Sequence, residues 1–202
     1  VTAAADPLAA LAESDGELLV DSLRRRMRAM HSLYYQAVDS MNLEQVNHFE
    51  REGVLPIAFS LFHYTNMQDA TYFVLTGTPP IWDATWQAAV RMAVDDHGKE
   101  RTVEEMTRQR IGDYEAFKAY QRAVFTRTEA YLDTLAPEAL RRVVIAHPFP
   151  DAVAATFSAR VAGPAGLTVL DALECWHYQH GLRHMGEIEL ARALVGLGGM
   201  TS

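Results

Sequence analysis

Three of the eight histidines, His177, His180 and His184, crowd into one short stretch near the C-terminus. At about 100° per residue in a helix, His177 and His180 stand about 60° apart and His180 and His184 about 40° apart, so all three share one stripe with Leu173, Ile188, Ala191 and Val195. That stripe is apolar enough to face a core. His177 and His184 would be about 10.5 Å apart along the axis, too far to share one ion whose nitrogen ligands sit at about 2.0–2.1 Å. His180 therefore belongs to any pair. The four-residue spacing favours His180 with His184, because it stacks two imidazoles one turn apart on one face, as in H-E-x-x-H helices. His177 is left as their neighbour.

A further imidazole, His63, lies on a second apolar stripe with Phe59, Met67, Ala70 and Val74. An unpaired polar group in a core is costly, so this ring is either hydrogen-bonded or bound to a metal. Taken alone it reads as a bonded core histidine; beside the His180/His184 pair it reads as a third ligand. Three neutral imidazoles make a half-open site with room for water or substrate, and they suit Zn, Ni, Cu or Fe, of which one zinc or nickel ion is the expectation. The other candidates carry blander readings. His31 belongs to the packed face of the first helix, and His48, His97 and His147 fall in loop-like contexts. Glu187, one turn past His184, is either an acceptor orienting a ligand or, as is commoner for a helical Glu, a solvated side chain. Cys175 stands about 140° from His180, off the face of the site, as a buried and inert thiol. Trp82, Trp86, Trp176 and Tyr178 read as core or interface, and no catalytic residue is singled out.

Helical periodicity supplies the elements that must position these groups. Leu19, Leu23, Met27, Met30, Tyr34, Val38 and Met41 recur at helical steps and predict one helix from Glu17 to about Met41, with residues 1–15 as a flexible segment. A second helix is predicted from Pro56 to a Gly77 cap, a third from Asp113 to Leu135, and a fourth from a Thr168 cap past Leu194. Residues 78–112 predict a short helix around Trp86 to Val94 and another after the Thr102/Glu105 capping box. A helical turn is expected over Pro137 to Arg142. Two β-prone runs, Val143 to Ala146 and Val153 to Val161, predict a small hairpin before the last helix. The fold class is thus all-α: one domain over residues 1–202, a four-helix bundle with short extra helices.

Composition narrows the function. The 202 residues carry 18 Lys and Arg against 26 Asp and Glu, a net charge of −8, which argues against a nucleic-acid surface. Apolar runs such as Pro56 to Phe62 fall far short of a membrane span. A single cysteine excludes an internal disulfide framework and any Cys-rich zinc module. The N-terminal Val-Thr-Ala-Ala-Ala does not read as a signal peptide, so a cytoplasmic protein acting on a small molecule is expected. Leu18 and Val20, outside the main stripe of the first helix, point to an isologous homodimer.

His63 on the second long helix and His180-x-x-x-His184-x-Gly186-Glu187-Ile188 on the last resemble the DinB/YfiT-like metalloenzyme superfamily. The likeness extends to Asp113-Tyr114-Glu115, to Tyr131-Leu132-Asp133-Thr134-Leu135 and to Pro137-Glu138-Ala139-Leu140, and it covers most of the chain after Asn42. It implies a four-helix bundle holding one divalent metal through His63, His180 and His184. A common form of the motif has Arg and Gln where this chain has Met185 and Glu187. The resemblance further implies an S-transferase or isomerase that uses a small bacterial thiol such as mycothiol or bacillithiol; mycothiol is favoured by the scarcity of lysine and abundance of alanine, which fit a GC-rich source. The other reading is a metal-binding, stress-associated protein without turnover.

Overall fold

The computed structural model describes residues 7–200, with side chains from Asp15 onward. Helix α1 runs over Pro7–Asp39, α2 over Leu43–Val46 and α3 over Ile57–Thr76, where Gly77 caps the end. Helix α4 (Ala84–Val90) starts at an Asp83 cap and α5 (Val103–Thr107) at the Thr102/Glu105 capping box; α6 spans Tyr114–Thr134. A 3-10 turn over Pro137–Arg141 leads into strand β1 (Val143–Ala146), followed by α7 (Asp151–Ala154), α8 (Phe157–Val161) and strand β2 (Gly166–Thr168). The last helical run joins α9 (Val169–Ala172), a π turn over Leu173–Gln179 and α10 (His180–Leu194). No helix among the described residues is long and apolar enough to cross a membrane.

The four long elements close around one core as an all-α bundle. α1 packs on α6, and α3 packs on α10. Along α1 the buried residues Val20, Leu23, Met27, Met30, Tyr34, Ala37, Val38 and Met41 follow steps of three and four, so one face carries the packing. At the centre Tyr34 stacks on Tyr64 at 4.7 Å and meets the edge of Phe125 at 5.6 Å. Both phenols are fully buried, which pushes their ionisation far up and keeps them as donors. Tyr34 gives its proton to the Gly181 carbonyl at 2.8 Å and Tyr64 to the His177 carbonyl at 3.1 Å, fastening the last helix to α1 and α3.

Three expectations need correction. The first helix begins at Pro7 rather than Glu17, and residues 1–6 of the segment expected to be flexible lie outside the described residues. Val20 is 2% exposed while Leu18 is 63% and Leu19 44% exposed, so Val20 belongs to the core and leaves the proposed pairing face. Strand β1 forms where expected, but its antiparallel partner is β2, not residues 153–161. Pro150 precedes α7 in extended backbone, Thr156 precedes α8, and both segments turn helical. A run of β-branched residues is only a weak signal when nothing pairs with it.

Candidate metal centre

His63 comes from the middle of α3, and His180 and His184 from the first turns of α10. One ring nitrogen from each lies within 4.8 Å of the others. The Nε2 atoms of His63 and His180 are 3.3 Å apart, and those of His180 and His184 are 2.9 Å apart. Nitrogen ligands at about 2.0–2.1 Å from one ion are about 3.0 Å apart at right angles and about 3.4 Å apart at the tetrahedral angle, so this spacing suits one ion bound on three adjacent positions.

The outer nitrogens explain why the inner ones converge. His63 Nδ1 donates to the His97 carbonyl, and His184 Nδ1 donates to Glu187 Oε2 at 2.7 Å. With the Nδ1 protons of His63 and His184 held on the outer side, their Nε2 lone pairs converge on His180 Nε2, an arrangement that one cation satisfies at all three rings. Burial, with the neighbouring imidazoles, pushes the His63 pKa down to about 4 and that of His180 to about 3, so both rings are neutral at neutral pH. Glu187 is raised by burial, but the bond from His184, its charge and the bond from Ser60 at 2.8 Å outweigh this and keep the carboxyl lowered. Glu187 thus orients a candidate ligand while half its side chain meets solvent.

Backbone features hold these partners in place. A Cβ at Gly181 would collide with the Met30 sulfur and the Tyr64 ring. Glycine there lets α10 approach α1 and α3 closely just where His180 and His184 emerge. Gly98 takes φ 76, where a Cβ would fall 2.8 Å from the Phe59 ring. It follows His97 in a loop fixed by Gly98 N–H bonding Asp96 at 2.8 Å and by the Asp96–Arg101 ion pair at 2.7 Å, and this loop delivers the carbonyl that His63 needs. The His97 carbonyl was not legible as a site feature, because a backbone acceptor leaves no signature in residue type, and the close approach at Gly181 was missed. Glycine beside His180 was the one available signal.

The other histidines separate from the site. His31 is fully buried, stacks on Phe125 at 4.0 Å, donates from Nδ1 to Glu129 at 2.6 Å and accepts at Nε2 from Gln68 at 3.1 Å. His48 bonds Glu50 at 3.1 Å and His147 packs on Phe149 at 3.9 Å, both in loops. His177 points away from the trio toward Thr71, 3.1 Å from Nε2. Burial drives its pKa down to about 3, and its Nδ1 is without a hydrogen-bond partner among the described residues.

Two of the trio, His63 and His180, open on a cavity of about 680 Å³, lined also by Met67, Thr71, Val74, Ile145, Val153, Phe157, Cys175, Trp176, Lys99 and Arg183 among others. Cys175 and Trp176 therefore face this space, against their expected places off the site and in the core. The reason is the π turn: an i→i+5 turn holds one more residue than an i→i+4 turn and shifts the phase of the helix by about 100°. Trp82 and Trp86 do pack inward, on Tyr120, and Tyr178 lies under Arg26.

A family model of the DinB superfamily matches residues 26–188. The chain belongs to the DinB superfamily. Among solved structures, a conserved protein of Enterococcus faecalis is similar to this DinB chain with a TM-score of 0.69 at 16% identity, covering 88% of this chain and 97% of that one. At such identity the likeness concerns the fold. No curated protein matches the sequence.

Proposed function

We propose that this DinB protein is a metal-dependent enzyme that uses a small cellular thiol to attack an electrophilic carbon. The observation that carries the reading is the convergence of three imidazoles, two of which, His63 and His180, line a largely apolar cavity of about 680 Å³. His63, His180 and His184 would hold one divalent ion, zinc or nickel. When bound, it would supply the positive charge that favours the ionised form of a thiol.

The chain's own residues do the rest. The His97 carbonyl and Glu187 hold His63 and His184 with Nε2 forward, toward His180. Met67, Val74, Ile145 and Trp176 exclude water from the reacting pair. Cys175 is a poor nucleophile, since burial pushes its thiol up to about 11. The attacking sulfur is therefore brought in with the cosubstrate. Its lone pair forms the S–C bond while the leaving group departs with the former C–X pair, and the thiol proton passes to solvent.

The test pairs elemental analysis with turnover. Protein purified without nickel resin should carry about one metal per chain, and it should conjugate a halogenated nitroarene with one of mycothiol, bacillithiol, glutathione or coenzyme A. Chelation or His184→Ala should abolish the reaction, and Cys175→Ala should leave it intact. A metal-loaded protein inert with all four thiols would replace this reading by a non-catalytic metal-binding role.

A further inference from the structure

We propose that the cavity selects a monoanionic substrate, an apolar body carrying one carboxylate, and that Arg183 is the residue that seats the charge. The inference rests on the reading of the cavity as the substrate chamber. Acids outnumber bases 26 to 18 in this chain. The cavity wall reverses that balance: it carries Lys99 and Arg183 and neither Asp nor Glu.

The two cations come from different elements. Arg183 lies on α10 three residues past His180, next to it on the helix surface. Lys99 belongs to the loop that presents the His97 carbonyl to His63. The Lys99 ammonium gives one proton to the Ala152 carbonyl at 2.9 Å, which leaves two for a ligand and ties the loop to α7 across the cavity. Arg183 is exposed to the cavity and has no hydrogen-bond or ion-pair partner among the described residues. Most other arginines are engaged, as in Arg26 with Glu174 at 2.6 Å and Arg101 with Asp96 at 2.7 Å, and the other two without a partner among the described residues, Arg141 and Arg160, do not line the cavity. A free planar guanidinium at the edge of an apolar wall matches a carboxylate bidentately, and Lys99 adds a second attraction. Met67, Val74, Ile145, Val153 and Trp176 supply the surface for the apolar body.

Calorimetric titration of the full chain with 4-phenylbutanoate and with its neutral amide tests this without thiol or turnover. The carboxylate should bind at least about tenfold tighter than the amide, both with zinc and after chelation. Arg183→Gln should bring the ratio close to one while leaving amide affinity unchanged, and Lys99→Gln should reduce the ratio in part. Equal affinity of the two probes, no binding of either at millimolar concentration, or a preference that disappears on chelation but survives Arg183→Gln would each overturn the proposal. The last result would mean that the carboxylate sits on the ion. Loss of thiol transfer with the Arg183-dependent preference intact would remove the proposed reaction and leave the anion seat standing.

Discussion

Two sets of buried histidines occupy the two halves of the bundle, and they are wired in opposite ways. Between α1 and α6, His31 spends both nitrogens on the protein, Nδ1 on Glu129 and Nε2 on Gln68. Between α3 and α10, His63 and His184 spend only their outer edges, and both turn Nε2 toward His180. His31 is fully buried and His184 nearly so, while His63 and His180 keep partial exposure. What separates a structural histidine from a candidate ligand is where its second nitrogen finds a partner.

The sharpest way to break this comparison is to remove one ring from each set. His180→Ala or His184→Ala should abolish stoichiometric metal in elemental analysis and leave the helical circular dichroism intact. His31→Ala should do the reverse, keeping the metal and losing about 2–4 kcal/mol of stability to denaturant, because it unpairs Glu129 and Gln68 and removes a ring stacked on Phe125. Metal retained in both site variants would dissolve the distinction.

Next in size is the outer wiring. Glu187→Gln keeps the shape but removes the charge that holds the His184 proton, and metal affinity in a competition titration should fall about 10- to 100-fold. An unchanged affinity would return Glu187 to an ordinary solvated side chain.

Gly181→Ala probes the close approach that brings the helices together. With Met30 and Tyr64 already in contact, the added methyl should cost about 1–3 kcal/mol in chemical denaturation. Metal affinity should drop with it, since α10 must back away from α3. A neutral substitution would show that the crossing is slack.

An effect confined to acid pH and absent at neutral pH concerns His177, which lies between the two sets with one nitrogen bonded to Thr71 and one without a partner among the described residues. Burial lowers its folded pKa to about 3, below the unfolded value near 6.5, so protonation favours the unfolded chain. The stability owed to its neutral form is therefore whole above about pH 6.5 and is lost as pH falls toward 3, at up to about 1.4 kcal/mol per pH unit. His177→Gln should flatten the acid limb of a stability-versus-pH curve by one proton. An unaltered slope would mean that His177 titrates as freely as in the unfolded chain.

How much of this was legible beforehand follows from the range of each interaction. The ends of α3, the α5 capping box and the extent of α6 were readable, because caps, prolines and three- and four-residue periodicity act within a few residues. The partner of β1 was not, since strand pairing depends on a segment reached only after two intervening helices. Cys175 and Trp176 were misplaced because regular α geometry was assumed through residues 173–179, where the backbone makes a π turn.

By itself, then, the sequence determined the helices, the apolar faces that pair them and the histidines capable of meeting on those faces, all consequences of local spacing. Only the tertiary structure decided which nitrogen of each ring is spent, that the His97 carbonyl and Glu187 spend it, and that Lys99 from a distant loop and Arg183 share one cavity. Those outcomes depend on groups far apart in the chain and on backbone atoms common to every residue. They are settled when the helices pack, and not before.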